Sequence, residues 1–513
     1  MRSATLTLFL AAVVGVAAQL LFFAKAPGIN AAIAALLFVG VVLAVRRPAL
    51  VDLWLPVGAL AFAGLVAIRS EPAVVAFDAL AAAGLAVATA ASASRRITTL
   101  PLLALAREAG EVLGAVSVRA GGLIARARGE RAALGPRYRS AAAYAGGLVL
   151  AVPFLVAFTA LFSSADAVFA RWAEDLLDPR LVRELPGRTV LAGAVAWVAA
   201  GALTLAARSG AAHEARGPHR PARAETALAL LLPIDALFSV FVVLQAAYLF
   251  GGRDTVEAAG IPYSAYARRG FFELVGAASL VAAALFAVDL LARRTRLVVA
   301  AALALLPLTG VVLASAAYRL ALYQEAYGWS ELRLYALAAT LFLGLTLAIL
   351  GTAIVARRMD RAVQPVAAAA LAVALAVNAV GPAGHIARAN LDRAASGPSD
   401  ERALRVDLWY LVSLGDGAVP ELVARLPALP ERERFCLTTL LRWSARWRDL
   451  DRPGPWQSLN LDRERAQQAL LAVRDELFAP VVPPRDDHTR SRERAIETRY
   501  GAECAAAPEP GRR

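Results

Sequence analysis

Residues 141 to 162, AAAYAGGLVLAVPFLVAFTALF, hold 22 positions without one charged side chain. That length matches the roughly 20 apolar residues a helix needs to cross a bilayer, and inside lipid only helices or closed barrels satisfy every backbone N–H and C=O. Ten more apolar stretches lie near residues 4–24, 29–45, 50–68, 73–91, 189–207, 226–250, 272–292, 297–320, 333–355 and 363–385. The expected fold is all-α, a polytopic transmembrane bundle of about 11 spans with a small C-terminal helical domain outside the membrane. The 59% apolar content exceeds the roughly half usual for soluble chains, and lipid must cover the excess.

The first stretch could be mistaken for a secretory signal, since Arg2 precedes it and small residues follow near Ala24. Its apolar run from Leu6 to Phe23 is 18 residues, longer than the roughly 7 to 15 of a signal core, which favours an uncleaved span. Charge then sets orientation. With the N-terminus inside, the cytoplasmic loops hold 22 Arg, against 10 Lys and Arg in the opposite loops at 25–28, 69–72, 163–188, 251–271 and 321–333. Positive loops stay in the cytoplasm, so the C-terminus is expected outside. The Arg-for-Lys, Ala-rich composition suits a bacterial chain of the cytoplasmic (inner) membrane. A net charge of +13 without RNA-binding or zinc-finger signatures points to lipid headgroups and not to nucleic acid.

The chain divides into five regions: spans 1–4 in 1–91, a basic helical segment at 92–140, spans 5–11 in 141–385, an extracytoplasmic helical domain at 386–482, and a charged, Pro-containing tail at 483–513. In the basic segment Leu102, Leu105, Ala109, Val112, Val116, Ala120 and Leu123 recur at spacings of three and four, an apolar helical face. Arg107, Arg119, Arg126, Arg128, Arg131, Arg137 and Arg139 surround it, so it either lies on the anionic inner leaflet or folds as a hairpin packed under the bundle. The linker 208–225 has Gly and Pro breakers, and its His213 and His219 fall short of the three or four ligands a metal needs. Beyond residue 386, Leu404, Leu408, Leu411 and Val412, then Leu422, Val423 and Leu426, then Leu437, Leu440, Leu441 and Trp443, then Ala466 to Leu477, mark short amphipathic helices that could meet an envelope partner.

The segments SSADAVFARW (163–172), PYSAYARRGFFEL (262–274), YQEAYGWSELRLYAL (323–337) and DLWYLVSLGDGAVPEL (407–422) resemble those of a bacterial domain-of-unknown-function family over roughly residues 70 to 425. The resemblance implies a polytopic membrane protein and carries no agreed reaction or ligand.

Absent motifs prune the chemistry. The single lysine, Lys25, follows no Gly-rich loop, so a Walker nucleotide site is excluded. No Cys pair at metal-ligand spacing, His-Glu-x-x-His or Gly-x-Ser-x-Gly sequence supports zinc or a serine hydrolase, and no cofactor signature is present. Ionisable residues in apolar spans remain, because they are costly there and usually face a cavity or a partner. Asp235, just after Pro233, is the main candidate, for proton or cation coupling or for a structural hydrogen bond. Asp78 and Asn378 sit toward the outer third of their spans, Asp52 and Asp289 close enough to cytoplasmic ends to reach water, and Gln19 and Gln245 where they could join helices. On the outer rim Tyr263, Tyr266, Arg268, Arg269 and Glu273 enter the eighth span, and Arg319, Tyr323 and Tyr327 share a face leaving the ninth. Tyr and Arg at headgroup depth are either membrane anchors or a site for an anionic lipid or lipid-linked glycan.

Transport or lipid handling is the favoured reading. The alternatives are a membrane enzyme with Glu273 or Asp166 as general base, and an assembly or sensory scaffold. The only two cysteines, Cys436 and Cys504, fall on the expected outer side, where a disulfide between them is permitted.

Overall fold

In the computed structural model the described residues are 4–132, 179–207, 224–250, 271–291, 293–396, 406–429, 431–447 and 454–478. Among them every regular element is helical. Seven helices are long and apolar enough to cross a membrane, which supports a membrane protein by length and composition. They coincide with the first, fourth, sixth, seventh and ninth to eleventh expected spans. The second and third coincide with shorter apolar helices, α2 (Ile29–Val45) and the stretch Leu50–Leu65. The eighth coincides with the 21-residue helix Phe271–Leu291, and the fifth lies outside the described residues.

The chain forms two compact units. In the first, α1 (Ala4–Phe22) packs along α7 (Pro179–Ala206), and small residues let the backbones meet. A Cβ on Gly15 would stand 2.3 Å from the Ala192 carbonyl oxygen and 2.8 Å from the Ala196 Cβ. The contact is pinned at one end by Arg188, which pairs with Glu184 at 2.7 Å, donates to Gln19 Oε1 at 3.2 Å and lies 4.7 Å over the Phe23 ring. Gln19 thus joins two helices, in keeping with its place in the first span. At the same end Ile29 N–H donates to the Leu459 carbonyl at 2.9 Å.

The basic segment is one continuous helical rod: α5 (Leu102–Gly114), a π turn at Ala115–Arg119 and α6 (Ala120–Ala132). Among the described residues 102–132 it makes no hairpin, and it packs on α7. Gly201 of α7 sits so close that a Cβ there would be 2.4 Å from the Ala115 carbonyl oxygen, and Trp197 Nε1 donates to the Ser117 carbonyl at 3.2 Å. The buried line is Glu108, Ala115, Ala120, Leu123 and Ala127, whereas Ala109 is exposed. A π turn adds one residue to a helical turn and rotates the faces on either side of it, so a single 3.6-residue stripe cannot describe both halves. Asp52 departs from expectation too. It is fully buried, and its Oδ1 accepts the Thr98 N–H at 2.9 Å as well as the Thr98 hydroxyl.

The second unit gathers α8 (Ala224–Phe250), α9 (Phe271–Leu291), α10 (Arg296–Tyr327), α11 (Glu331–Val355) and α12 (Val363–Val380), followed by shorter helices to residue 478. Thr295 and Ser330 cap α10 and α11 with side-chain acceptors. One end of this bundle closes on an apolar cluster holding Leu231, Leu285, Val298, Leu350 and Met359, beside Arg296, Arg357, Arg358 and Arg361. At the other end Leu334 of α11 joins α13 (Pro382–Ser396), α14 (Leu408–Ser413), α15 (Val419–Arg425), α16 (Glu431–Trp447) and α17 (Leu461–Ala472) around a second core of Ile386, Leu411, Leu422, Leu441 and Leu470. The expected last span runs to residue 385, but α12 stops at Val380. Gly381, at φ 66°, takes the left-handed cap position, and Pro382 opens α13, so a glycine ends one helix and a proline starts the next. Conversely α10 outruns its expected span by seven residues. At 32 residues it measures about 48 Å, longer than a hydrocarbon core of roughly 30 Å is thick.

Candidate functional site

Between α10 and α11 lies an open groove of about 660 Å³. Its walls are Pro307, Gly310 and Ala314 on one helix and Leu341, Gly344 and Ala348 on the other, with Thr340 a polar group among them. Pro307 has no N–H for the Leu303 carbonyl, which favours a bend in α10 at this level. Gly310 has no heavy atom within 4 Å of where its Cβ would be, and Gly344 has only the Leu313 Cδ2 at 3.7 Å. Glycine in a helix interior costs roughly 1 kcal/mol relative to alanine, so two glycines facing empty space trade stability for room. Leu341 and Leu345 are exposed at its edge, so the groove opens sideways, toward where hydrocarbon would be.

Arg333 lies one turn before Leu337 on the groove face of α11, since positions 333, 337, 340, 341 and 344 share one side of a helix. Its guanidinium sits 4.2 Å over the Tyr323 ring and 5.9 Å from that of Tyr327, and the two tyrosines pack at 4.8 Å. Nη1 of the same arginine donates to the Tyr327 carbonyl at 3.1 Å and to that of Gly328. The four-residue spacing of Tyr323 and Tyr327 marks them as candidates along the chain, and Arg333 follows them on the same rim. Stacking across the α10–α11 turn is what places it here. Arg319 is half-buried one turn before Tyr323, and Glu273 is exposed in the first turn of α9. Tyr263, Tyr266, Arg268, Arg269, Asp166 and Cys504 lie outside the described residues. Cys436 packs half-buried against the C-terminal core.

Asp235 is not part of the groove. It follows Ala227 and Leu231 at four-residue spacing on the face of α8 that packs on the apolar cluster, and its Oδ1 is buried with no hydrogen bond. Among the described residues no group of three or more His, Cys, Asp or Glu is placed to hold a metal ion.

A second polar centre is not legible in the sequence at all. Arg69, Ser70 and Glu71, an ordinary charged turn along the chain, are drawn into the C-terminal helices. Glu71 is fully buried, and its Oε1 accepts the Ala383 N–H at the start of α13 at 2.9 Å. Arg69 donates to the Asn378 carbonyl and stands 3.7 Å from Asp462. Asn460, the cap of α17, donates to the Arg69 carbonyl at 2.8 Å, and Asp462 N–H reaches the Ile68 carbonyl at 3.1 Å.

Residues 57–424 match a family model, DUF4153, described as a domain of unknown function. The four segments that carry the resemblance in the sequence all fall within that match. No curated protein and no solved structure matches the chain.

Proposed function

We propose, from the premise that the chain belongs to the DUF4153 family, that it handles a membrane lipid, one hydrocarbon chain lying in the α10–α11 groove and the polar head meeting Arg333, Tyr323 and Tyr327. The groove carries this reading. It is apolar, glycine-lined and open sideways, and a guanidinium with two aromatic rings lies at the end where α10 outruns its expected span. Arginine grips phosphate or carboxylate through paired donors, and tyrosine suits the interface. An enzyme reading would want a carboxylate on the groove wall, and the lining residues include none. Transport coupled through Asp235 would want that residue in the groove, and it is elsewhere.

The test is photocrosslinking of a phospholipid with a diazirine in its acyl chain to the chain in nanodiscs. Gly310→Leu with Gly344→Leu fills the groove and should lower labelling of α10 and α11 peptides about tenfold, the loss expected if roughly 1.4 kcal/mol of chain burial is removed. Unchanged labelling would reject the lipid site. Labelling replaced by a crosslinked polypeptide in the wild type would reassign the groove to a protein helix.

The same reading places the protein in a bacterial inner membrane with the N-terminus and the basic rod cytoplasmic, anionic lipid heads beside the rod, and the C-terminal helices outside. It is supported by the arginines gathered at one end of the second unit and the C-terminal core at the other. In cells lacking Cys436 and Cys504, an impermeant maleimide should label Ser413→Cys and spare Arg126→Cys; the reverse pattern would invert the topology. On the outer side Cys436 and Cys504 would bridge, closing a loop of about 68 residues that chain-entropy reasoning credits with roughly 4 kcal/mol. Wild-type chain blocked at lysis and then denatured should therefore offer no free thiol.

A further inference from the structure

We propose that Asp462, beside Glu71, is a proton site that fastens α17 to the turn at 68–71, holding when its carboxyl is protonated and loosening when that proton passes to water. Both carboxylates are shut away from solvent, Glu71 fully and the Asp462 side chain to 5% exposure. Both lie against Gly417, where a Cβ would stand 3.1 Å from Glu71 Oε1 and 3.4 Å from Asp462 Oδ2, so a side chain at this position would crowd the two carboxylates. Each keeps one oxygen, Glu71 Oε2 and Asp462 Oδ2, buried without a hydrogen bond. An unprotonated carboxylate so placed has acceptor capacity that nothing meets, whereas a protonated one becomes a donor.

The groups that face this pair come from several elements. From its own turn Arg69 faces Asp462, and Ser70 supplies a backbone hydrogen bond to that carboxylate. From α17, Arg465 is near, while Arg463 leans 3.9 Å toward Asp416 of the Gly417 turn. From α11, Glu331 adds negative charge, with Tyr335 3.5 Å from its Oε1. From α14 comes the neutral hydroxyl of Tyr410, pushed up by burial, which accepts the Glu331 N–H at 2.9 Å. On α13, Arg388 is occupied by Glu421, and His385 meets the edge of Trp329. Burial first, then the charge of Glu71, raises Asp462 to about 6 from an ordinary 3.8. An acid raised on folding favours the folded contact at low pH, and that advantage is lost as pH climbs from about 4 through about 6. This inference does not rest on the lipid reading, because none of these residues lines the groove.

Hydrogen exchange of the full chain in nanodiscs, corrected for the intrinsic rate, reads the fastening directly. Protection of residues 461–472 should fall about tenfold between pH 5 and pH 8 in the wild type. Asp462→Asn mimics the protonated form and should keep α17 protected at both pH values. Glu71→Gln removes the charge that helps raise Asp462 and should move the midpoint to lower pH. Protection that does not change with pH in the wild type would overturn the proposal, as would an Asp462→Asn profile that tracks the wild type or an unmoved midpoint in Glu71→Gln.

Discussion

Replacing Arg69 by alanine should cost about 3–5 kcal/mol of stability, the loss typical of a buried ion pair stripped of one partner. Arg69 stands 3.7 Å from Asp462, a carboxylate that is itself out of water, and its guanidinium also holds the last turn of α12 through the Asn378 carbonyl. Its side chain is 17% exposed, so solvent screens little of what is lost. Thermal unfolding of the purified protein in detergent is the measurement. Arg69→Ala combined with Asp462→Asn should recover part of the loss, because a neutral amide no longer needs the cation. If the double variant is as unstable as the sum of the two single ones, Arg69 acts on something other than Asp462.

Gly15→Leu should separate α1 from α7. Even the first carbon of the new side chain would stand 2.3 Å from the Ala192 carbonyl oxygen, a backbone atom with no rotamer by which to withdraw. The two helices must then move apart along their length, weakening the Arg188 contacts to Gln19 and Phe23 at the far end. Overpacking of this kind costs typically 1–3 kcal/mol where neighbours can shift, and more is expected where the obstacle is main chain. Cysteines placed in α1 and α7 should crosslink in the parent and fail in the variant. Unimpaired crosslinking would show that the close approach carries no weight. Gly40, with nothing within 4 Å of its Cβ position, is the control, and Gly40→Leu should leave the crosslink intact.

Helix existence, and many of the ends, are readable in advance because they depend on neighbours along the chain. A charge-free run sets a span, Thr295, Ser330 and Asn460 each cap the helix that starts at the next residue, and Gly381 before Pro382 stops one helix and starts another. The outer rim is legible in part for the same reason: Tyr323 and Tyr327 are four residues apart and have to share a face. Arg333 follows them on the rim, but its stacking on the two rings needs the α10–α11 turn to fold back.

Periodicity fails where a local rule gives way to a tertiary demand. The π turn at Ala115–Arg119 shifts the buried stripe of the basic rod, and the close seat of Gly201 against Ala115 accompanies it. Asp52, expected near water, finds Thr98 46 positions later. The largest gap is the centre at Arg69, Glu71 and Asp462. Along the chain they are surface-type charges about 390 residues apart, in a turn and on a polar helix. Burying a carboxylate is unfavourable unless a cation, an N–H or a proton meets it, and here the cation comes from the turn at 68–71 and the N–H from the start of α13. Hydropathy and spacing are properties of one segment, so they settle which helices form and which charges end them. Which buried charges share a site depends on how the helices pack, and that only the folded chain decides.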